Sequence, residues 1–166
     1  MKLAEIFFGE VQAVDQLGDA VVNFLFYLRE QGVTKIKTEE LIPMLKQEGI
    51  NDFDVELALR AMIHSATQDD LGLKSYKENG FISASDEPES VSKNLEYAYD
   101  DWCIALLADS LGNEEIATNF YQRGQYYKNL FDPSTGFFRA KKSHTWFAPF
   151  RPEEVNFNYT EANAWQ

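Results

Sequence analysis

Residues 90–113 read SVSKNLEYAYDDWCIALLADSLGN, and this stretch decides the class of fold. Leu95, Ala98, Tyr99, Trp102 and Leu106 recur at three- and four-residue spacing, which lines apolar side chains along one face of an α-helix. Gly112 supplies the residue that closes such a helix in the left-handed conformation. A second periodic run starts at Asn113 and passes through Ile116, Phe120 and Tyr127 to Leu130, where Asp132-Pro133 breaks it. Only Gly112-Asn113 separates the two runs, and a link this short folds neighbouring helices back on each other as an antiparallel hairpin.

Working outward, the same period places a helix over 11–31, carried by Val14, Leu17, Val21, Leu25 and Leu28 and stopped by Gly32. A shorter helix runs from Thr38 to Gly49, with Pro43 tolerable near its first turn. A third is capped by Asn51 or Asp52, with Phe53, Leu57, Ala61, Met62 and Ala66 as its buried stripe. From Thr67 to Ser90 the period vanishes among Asp69, Asp70, Gly72, Asn79, Gly80 and Pro88, which predicts a long loop. Residues 132–159 are irregular again and interleave Phe137, Phe138, Trp146, Phe147, Phe150 and Phe157 with Pro149 and Pro152. The expectation is an all-α chain of antiparallel helical hairpins with two long loops, and loops of that size carry function.

Composition narrows the partners. The chain has 166 residues, 45% of them hydrophobic, enough for a real core. Its 27 acidic against 15 basic residues give a net charge of −12, which repels nucleic acid and anionic lipid. No run approaches membrane-spanning length, and Met1 to Phe8, interrupted by Glu5, fits no signal-peptide plan. Cys103 lies within the apolar period and reads as a small buried hydrophobe.

Asp is a poor residue in the middle of a helix, so Asp100-Asp101 must be held there by something. A hydrogen bond to a neighbouring helix end or loop is weighed ahead of contact with a sugar or metal. His64 and His144 share no ligand spacing and read as a helix-surface and a loop histidine. His144 with Trp146 in an aromatic loop is also the kind of pair that stacks on a sugar ring. The segment Asn158-Tyr159-Thr160-Glu161-Ala162-Asn163-Ala164-Trp165-Gln166 reads as a helix start, with Thr160 as cap and Glu161 near the positive end of the dipole. If it is helical, Trp165 lies four residues on from Glu161 and puts an indole beside the carboxyl. An apolar neighbour of that kind suits a general acid; a plain capping Glu suits the same pattern.

Three blocks carry a family resemblance: Glu89 to Trp102, Phe131-Asp132-Pro133-Ser134-Thr135-Gly136-Phe137-Phe138-Arg139, and Tyr159 to Gln166. Together, in this order, they resemble glycoside hydrolase family 92. The resemblance covers 51–166 as part of the catalytic domain and leaves 1–50 as an N-terminal helical segment with a fainter echo at Gly18-Asp19-Ala20.

The resemblance implies an inverting, calcium-dependent exo-α-mannosidase built on an (α/α)6 toroid with a β-sandwich domain in front. It makes Glu161 the general acid, with a mannose-containing glycan as substrate, and leaves the calcium ligands unassigned; Trp146, His144 and Trp165 are the substrate-binding candidates that the residues themselves offer. The family's Gly-Asn-Asp-x-Gly-Gln-Met-Ser-Ala-Trp block, source of the base, does not occur in these 166 residues. The expectation is therefore a piece of the toroid, inactive alone and prone to self-association, with compartment undecided although family members are commonly exported. The competing expectations are a non-catalytic carbohydrate-binding remnant and a helical protein-interaction module.

Overall fold

The computed structural model describes residues 54–165. The helices expected over 11–31 and 38–49 lie outside the described residues, as do Asn51, Asp52 and Phe53. The described elements are α1 (Val55–Ala66), α2 (Leu73–Asn79), α3 (Ser90–Ser110), α4 (Glu114–Arg123), a 3-10 turn (Tyr126–Leu130) and four two-residue strands. The architecture is helix-rich, as the period requires. The chain divides into two compact units, Met1–Ser65 with Trp102–Phe120, and Ala66–Asp101 with Tyr121–Gln166.

In the first unit, α1 begins on Asp54, whose Oδ1 accepts the Leu57 N–H at 2.9 Å and so satisfies one of the helix's orphan amides. The cap thus falls two to three residues later than expected, and the buried stripe shifts to Ala58, Leu59 and Met62, leaving Leu57 exposed. Further along the chain, Cys103 through Ala108 are all buried, with the Cys103 side chain packed inside that run. α3 closes in a Schellman motif: Asn113 N–H donates to Ala108 O (2.9 Å) and Gly112 N–H to Asp109 O (3.0 Å). Gly112 takes φ 76°, which only glycine adopts at no steric cost. The Asn113 carbonyl then accepts the Ala117 N–H, so one residue finishes α3 and opens α4.

In the second unit, the stretch expected as one long loop contains α2. Seven residues are too few to show a 3.6-residue period, and the helix is instead bracketed by two left-handed glycines, Gly72 (φ 83°) and Gly80 (φ 74°). Gly80 N–H donates back to Tyr76 O, and Asn129 Nδ2 reaches the Gly80 carbonyl at 2.8 Å. Leu73, Tyr76 and Ile82 form one apolar cluster, against which Tyr97 and Tyr126 pack edge-on to the Tyr76 ring. A second cluster joins Phe81, Val91, Leu130, Ala140 and Tyr159, with Leu95, Phe138, Ala162 and Ala164 against it. Asn94, fully buried, links the neighbouring pieces by accepting the Ile82 N–H and donating to Tyr126 O.

The run after α4 also departs from expectation. The helix ends at Arg123, and after the 3-10 turn two small hairpins follow: β1 (Phe131–Asp132) with β2 (Phe137–Phe138), and β3 (Lys141–Lys142) with β4 (Thr145–Trp146). Asp132 makes the first turn. Its Oδ1 accepts the Ser134 N–H and hydroxyl at 2.9 and 2.6 Å, while its carbonyl accepts from Thr135 and Gly136.

Candidate active-site loop

The last described segment is a series of turns, not a helix. Phe157 and Asn158 lay their carbonyls over the start of α3, accepting the Glu89 N–H at 2.6 Å and the Val91 N–H at 3.0 Å. These are among the amides a helix start leaves unpaired, and the chain supplies their acceptors. Tyr159 is buried, with its hydroxyl donating to Phe138 O at 2.7 Å. Burial of the phenol holds its proton more tightly than in water, with Arg139 pulling the other way. The Thr160 N–H donates to Ser92 Oγ at 3.0 Å. Beyond Glu161, Ala162 and Ala164 pack on the core, Ala164 N–H donates to Pro152 O, and Trp165 N–H to Asn163 Oδ1.

Glu161 is therefore an exposed residue between two anchored flanks, and its φ of 50° lies in the left-handed region. A non-glycine residue held there costs on the order of 1 kcal/mol or more and persists because its surroundings impose it. The expected helical pairing of Glu161 with Trp165 does not form. The Trp165 ring packs edge-on against Phe137 at 5.0 Å and is 71% exposed.

The other two sequence candidates sit on the second hairpin. His144 is exposed at its two-residue turn, 6.4 Å edge-on from Phe81, and Trp146 lies half-buried on β4. A chain of ring contacts connects all three. Phe137 meets Trp165 and Phe150, and the Arg139 guanidinium lies 5.0 Å from the Phe150 centroid and 5.8 Å from that of Trp146. The Lys141 ammonium stands over Trp146 at 4.5 Å and over Phe81 at 5.2 Å. Trp165, Trp146 and His144 thus belong to one aromatic and cationic strip.

The organiser of that strip is Arg139, which sequence reasoning passed over. Its Nε and Nη2 both donate to Phe147 O, at 3.0 and 2.8 Å, and its Nη1 donates to the Asp132 carboxylate at 3.0 Å. Hydrogen bonds from Ser134, then the Arg139 cation, hold Asp132 below the usual carboxylate range. Arg139 stood inside the second quoted block, so the signal was present; what was missing was the partner eight residues away.

Asp101 has the structural role weighed ahead of ligand contact. It is 1% exposed, with Oδ1 2.9 Å from Arg123 Nη2 and Oδ2 accepting from Arg123 Nε (3.0 Å) and the Tyr76 hydroxyl (2.9 Å). Burial raises it to about 6 despite the Arg123 charge. His64 is exposed in the last turn of α1, as a helix-surface residue should be.

Calcium needs six to eight oxygen ligands. Among the described residues no three His, Cys, Asp or Glu side chains gather where they could hold a metal ion. Among the same residues, no helix is long and apolar enough to cross a membrane.

The chain matches the glycosyl hydrolase family 92 catalytic domain over residues 37–166. A family GH92 inverting mannosidase from Bacteroides thetaiotaomicron is 36% identical, with a TM-score of 0.67, over 75% of this chain and 18% of that one. A family GH92 α-mannosidase of the same organism, also 36% identical, gives 0.68 over 75% of this chain and 17% of its own. Its complex with mannoimidazole superposes at 0.61 over 68% of this chain, with 38% identity. A protein of Arthroderma benhamiae described as an uncharacterized secreted glycosidase is 31% identical over 93 residues, 51% of this chain and 12% of that protein. The chain thus spans less than a fifth of the length of these relatives.

Proposed function

The chain belongs to glycosyl hydrolase family 92, and from that premise we propose that it forms part of an (α/α)6 catalytic domain that removes terminal α-linked mannose from glycans with inversion. Glu161 is the general acid in this reading. The observation that carries it is the anchored turn: the one exposed carboxyl in Tyr159 to Trp165 stands in a strained backbone conformation between two fixed flanks. Strained residues held by their surroundings concentrate at functional sites. The two mannosidases to which the chain is similar support the substrate class.

The chemistry asked of Glu161 is proton transfer. Its carboxyl gives a proton to the glycosidic oxygen as the bond to the anomeric carbon breaks, and a second carboxylate, roughly 6.5 to 9.5 Å away, takes a proton from the attacking water. We assign that base to none of this chain's acids, so the 166 residues alone are expected not to turn over mannosides. Calcium dependence belongs to the same reading, with no ligand assigned here; chelation should abolish turnover in a protein of the relatives' length. The exposed indole of Trp165 offers a flat face to a sugar ring.

The test compares an activated aryl mannoside with a natural disaccharide, in wild type and Glu161→Gln, in a protein of the relatives' length that carries this segment. Loss of the acid should slow the disaccharide by roughly 10²- to 10⁴-fold and spare the aryl substrate, which needs little protonation. Equal losses on both would return Glu161 to a structural part. The strip also favours a second reading, a carbohydrate-binding remnant, which requires mannoside binding without turnover in that same protein.

A further inference from the structure

We propose that Ser92 is a positioning residue for Glu161, its hydroxyl oxygen fixing the Tyr159–Thr160 peptide one residue before the acid. The inference rests on the reading of Glu161 as the acid and adds a residue that nothing in the reaction itself requires. The chain around Glu161 is held by backbone contacts, by apolar packing and by side-chain hydrogen bonds such as that of the Tyr159 hydroxyl to Phe138 O, and the one nearest the acid is made by Ser92. Phe157 and Asn158 are tied through their carbonyls to the Glu89 and Val91 amides, and Ala162 and Ala164 rest on the core. Thr160, directly before Glu161, is held by a side chain: its N–H donates to Ser92 Oγ at 3.0 Å.

The geometry explains why a serine stands there. Ser92 lies in the first turn of α3, directly beneath the segment that covers the helix start, and a short hydroxyl reaches the passing backbone without lengthening the gap. Thr160 is exposed, so water can satisfy its N–H if the serine oxygen is removed. The fold therefore has little need of this bond. Its direction matters for the acid, because the orientation of the Tyr159–Thr160 peptide sets how the chain enters the left-handed Glu161 and so where that residue aims its carboxyl. Displacing a reacting group by about 1 Å can cost roughly 10²-fold in rate.

Two variants separate positioning from scaffolding. Ser92→Ala removes the acceptor; Ser92→Thr keeps the oxygen. In the 166-residue chain, amide exchange at Thr160 should speed up roughly tenfold in Ser92→Ala and stay near wild type in Ser92→Thr. In a protein of the relatives' length carrying this segment, Ser92→Ala should lower kcat on a mannose disaccharide roughly tenfold with KM little changed, and leave an activated aryl mannoside unaffected. Ser92→Thr should restore the disaccharide rate. Unchanged rates, equal losses on both substrates, or failure of Ser92→Ala to fold would each overturn the proposal. Glu161→Gln, measured alongside, keeps the two readings apart. If it shows the leaving-group split and Ser92→Ala does not, only the positioning role fails; if it shows no split, the acid assignment fails first.

Discussion

Replacing Arg123 with Met would leave the Asp101 carboxylate almost fully buried with one strong donor, the Tyr76 hydroxyl. The guanidinium now gives the carboxylate two contacts, at 2.9 and 3.0 Å, and also caps the Ala66 carbonyl at 2.9 Å. Breaking such a pair from one side costs about 3 to 5 kcal/mol, because the remaining charge stays out of water unpaired. Replacing both partners, as Asp101→Leu with Arg123→Met, should cost far less than the sum of the single changes, since desolvation of the two ions offsets most of their attraction. The raised pKa already says which effect wins: burial outweighs the arginine.

The same balance fixes a pH dependence. Asp101 moves from an ordinary 3.8 to about 6 in the folded chain, a shift worth roughly 3 kcal/mol. The folded state binds this proton more tightly than the unfolded one. Its contribution is therefore full below about pH 4 and is lost as pH rises through about 6, the reverse of a carboxylate whose pKa is depressed. Urea unfolding followed by far-ultraviolet circular dichroism from pH 4 to 7.5, in wild type and Asp101→Asn, isolates the term as the difference between the two slopes. Identical slopes, or additive losses in the double-replacement cycle, would refute the claim that burial governs this pair.

Other outcomes follow from named contacts. Tyr76→Phe should lose about 1.5 to 3 kcal/mol, the worth of a hydrogen bond to a charged acceptor, read by the same urea titration. Leu130→Ala, at a fully buried position in the larger cluster, should cost about 2 to 5 kcal/mol with an unchanged denaturant slope. Gly80→Ala should destabilise more than Gly112→Ala: both have positive φ, but a Cβ at Gly80 meets Asn129 Nδ2 at 2.9 Å while one at Gly112 meets nothing within 4 Å. Phe157 is a large apolar side chain left 89% exposed, so Phe157→Ser should weaken concentration-dependent association in sedimentation velocity. A wild-type chain that stays monomeric at high concentration would remove the ground for that expectation.

The apolar period alone determined α3 and the start of α4, because helix periodicity and glycine stop signals are local properties of a chain. Ser90, Gly112 and Asn113 were readable as boundaries for that reason, and the three blocks from Glu89, Phe131 and Tyr159 were sufficient to indicate the family. Helix α2 was not legible, since seven residues between two glycines complete too few turns to show a period. Nor were the hairpins, whose two-residue strands carry no alternation to read. The partner of Asp101 lies 22 residues away on α4 and that of Arg139 on Phe147, and no spacing rule names either. At Glu161 the local signal pointed to a helix, but tertiary contacts overrode it. The start of α3 drew in the Phe157 and Asn158 carbonyls, Ser92 took the Thr160 amide, and Ala162 and Ala164 docked on the core. Those attachments leave the intervening glutamate no helical conformation and turn its side chain out to solvent, a result that depends on residues about 70 positions apart meeting in the fold.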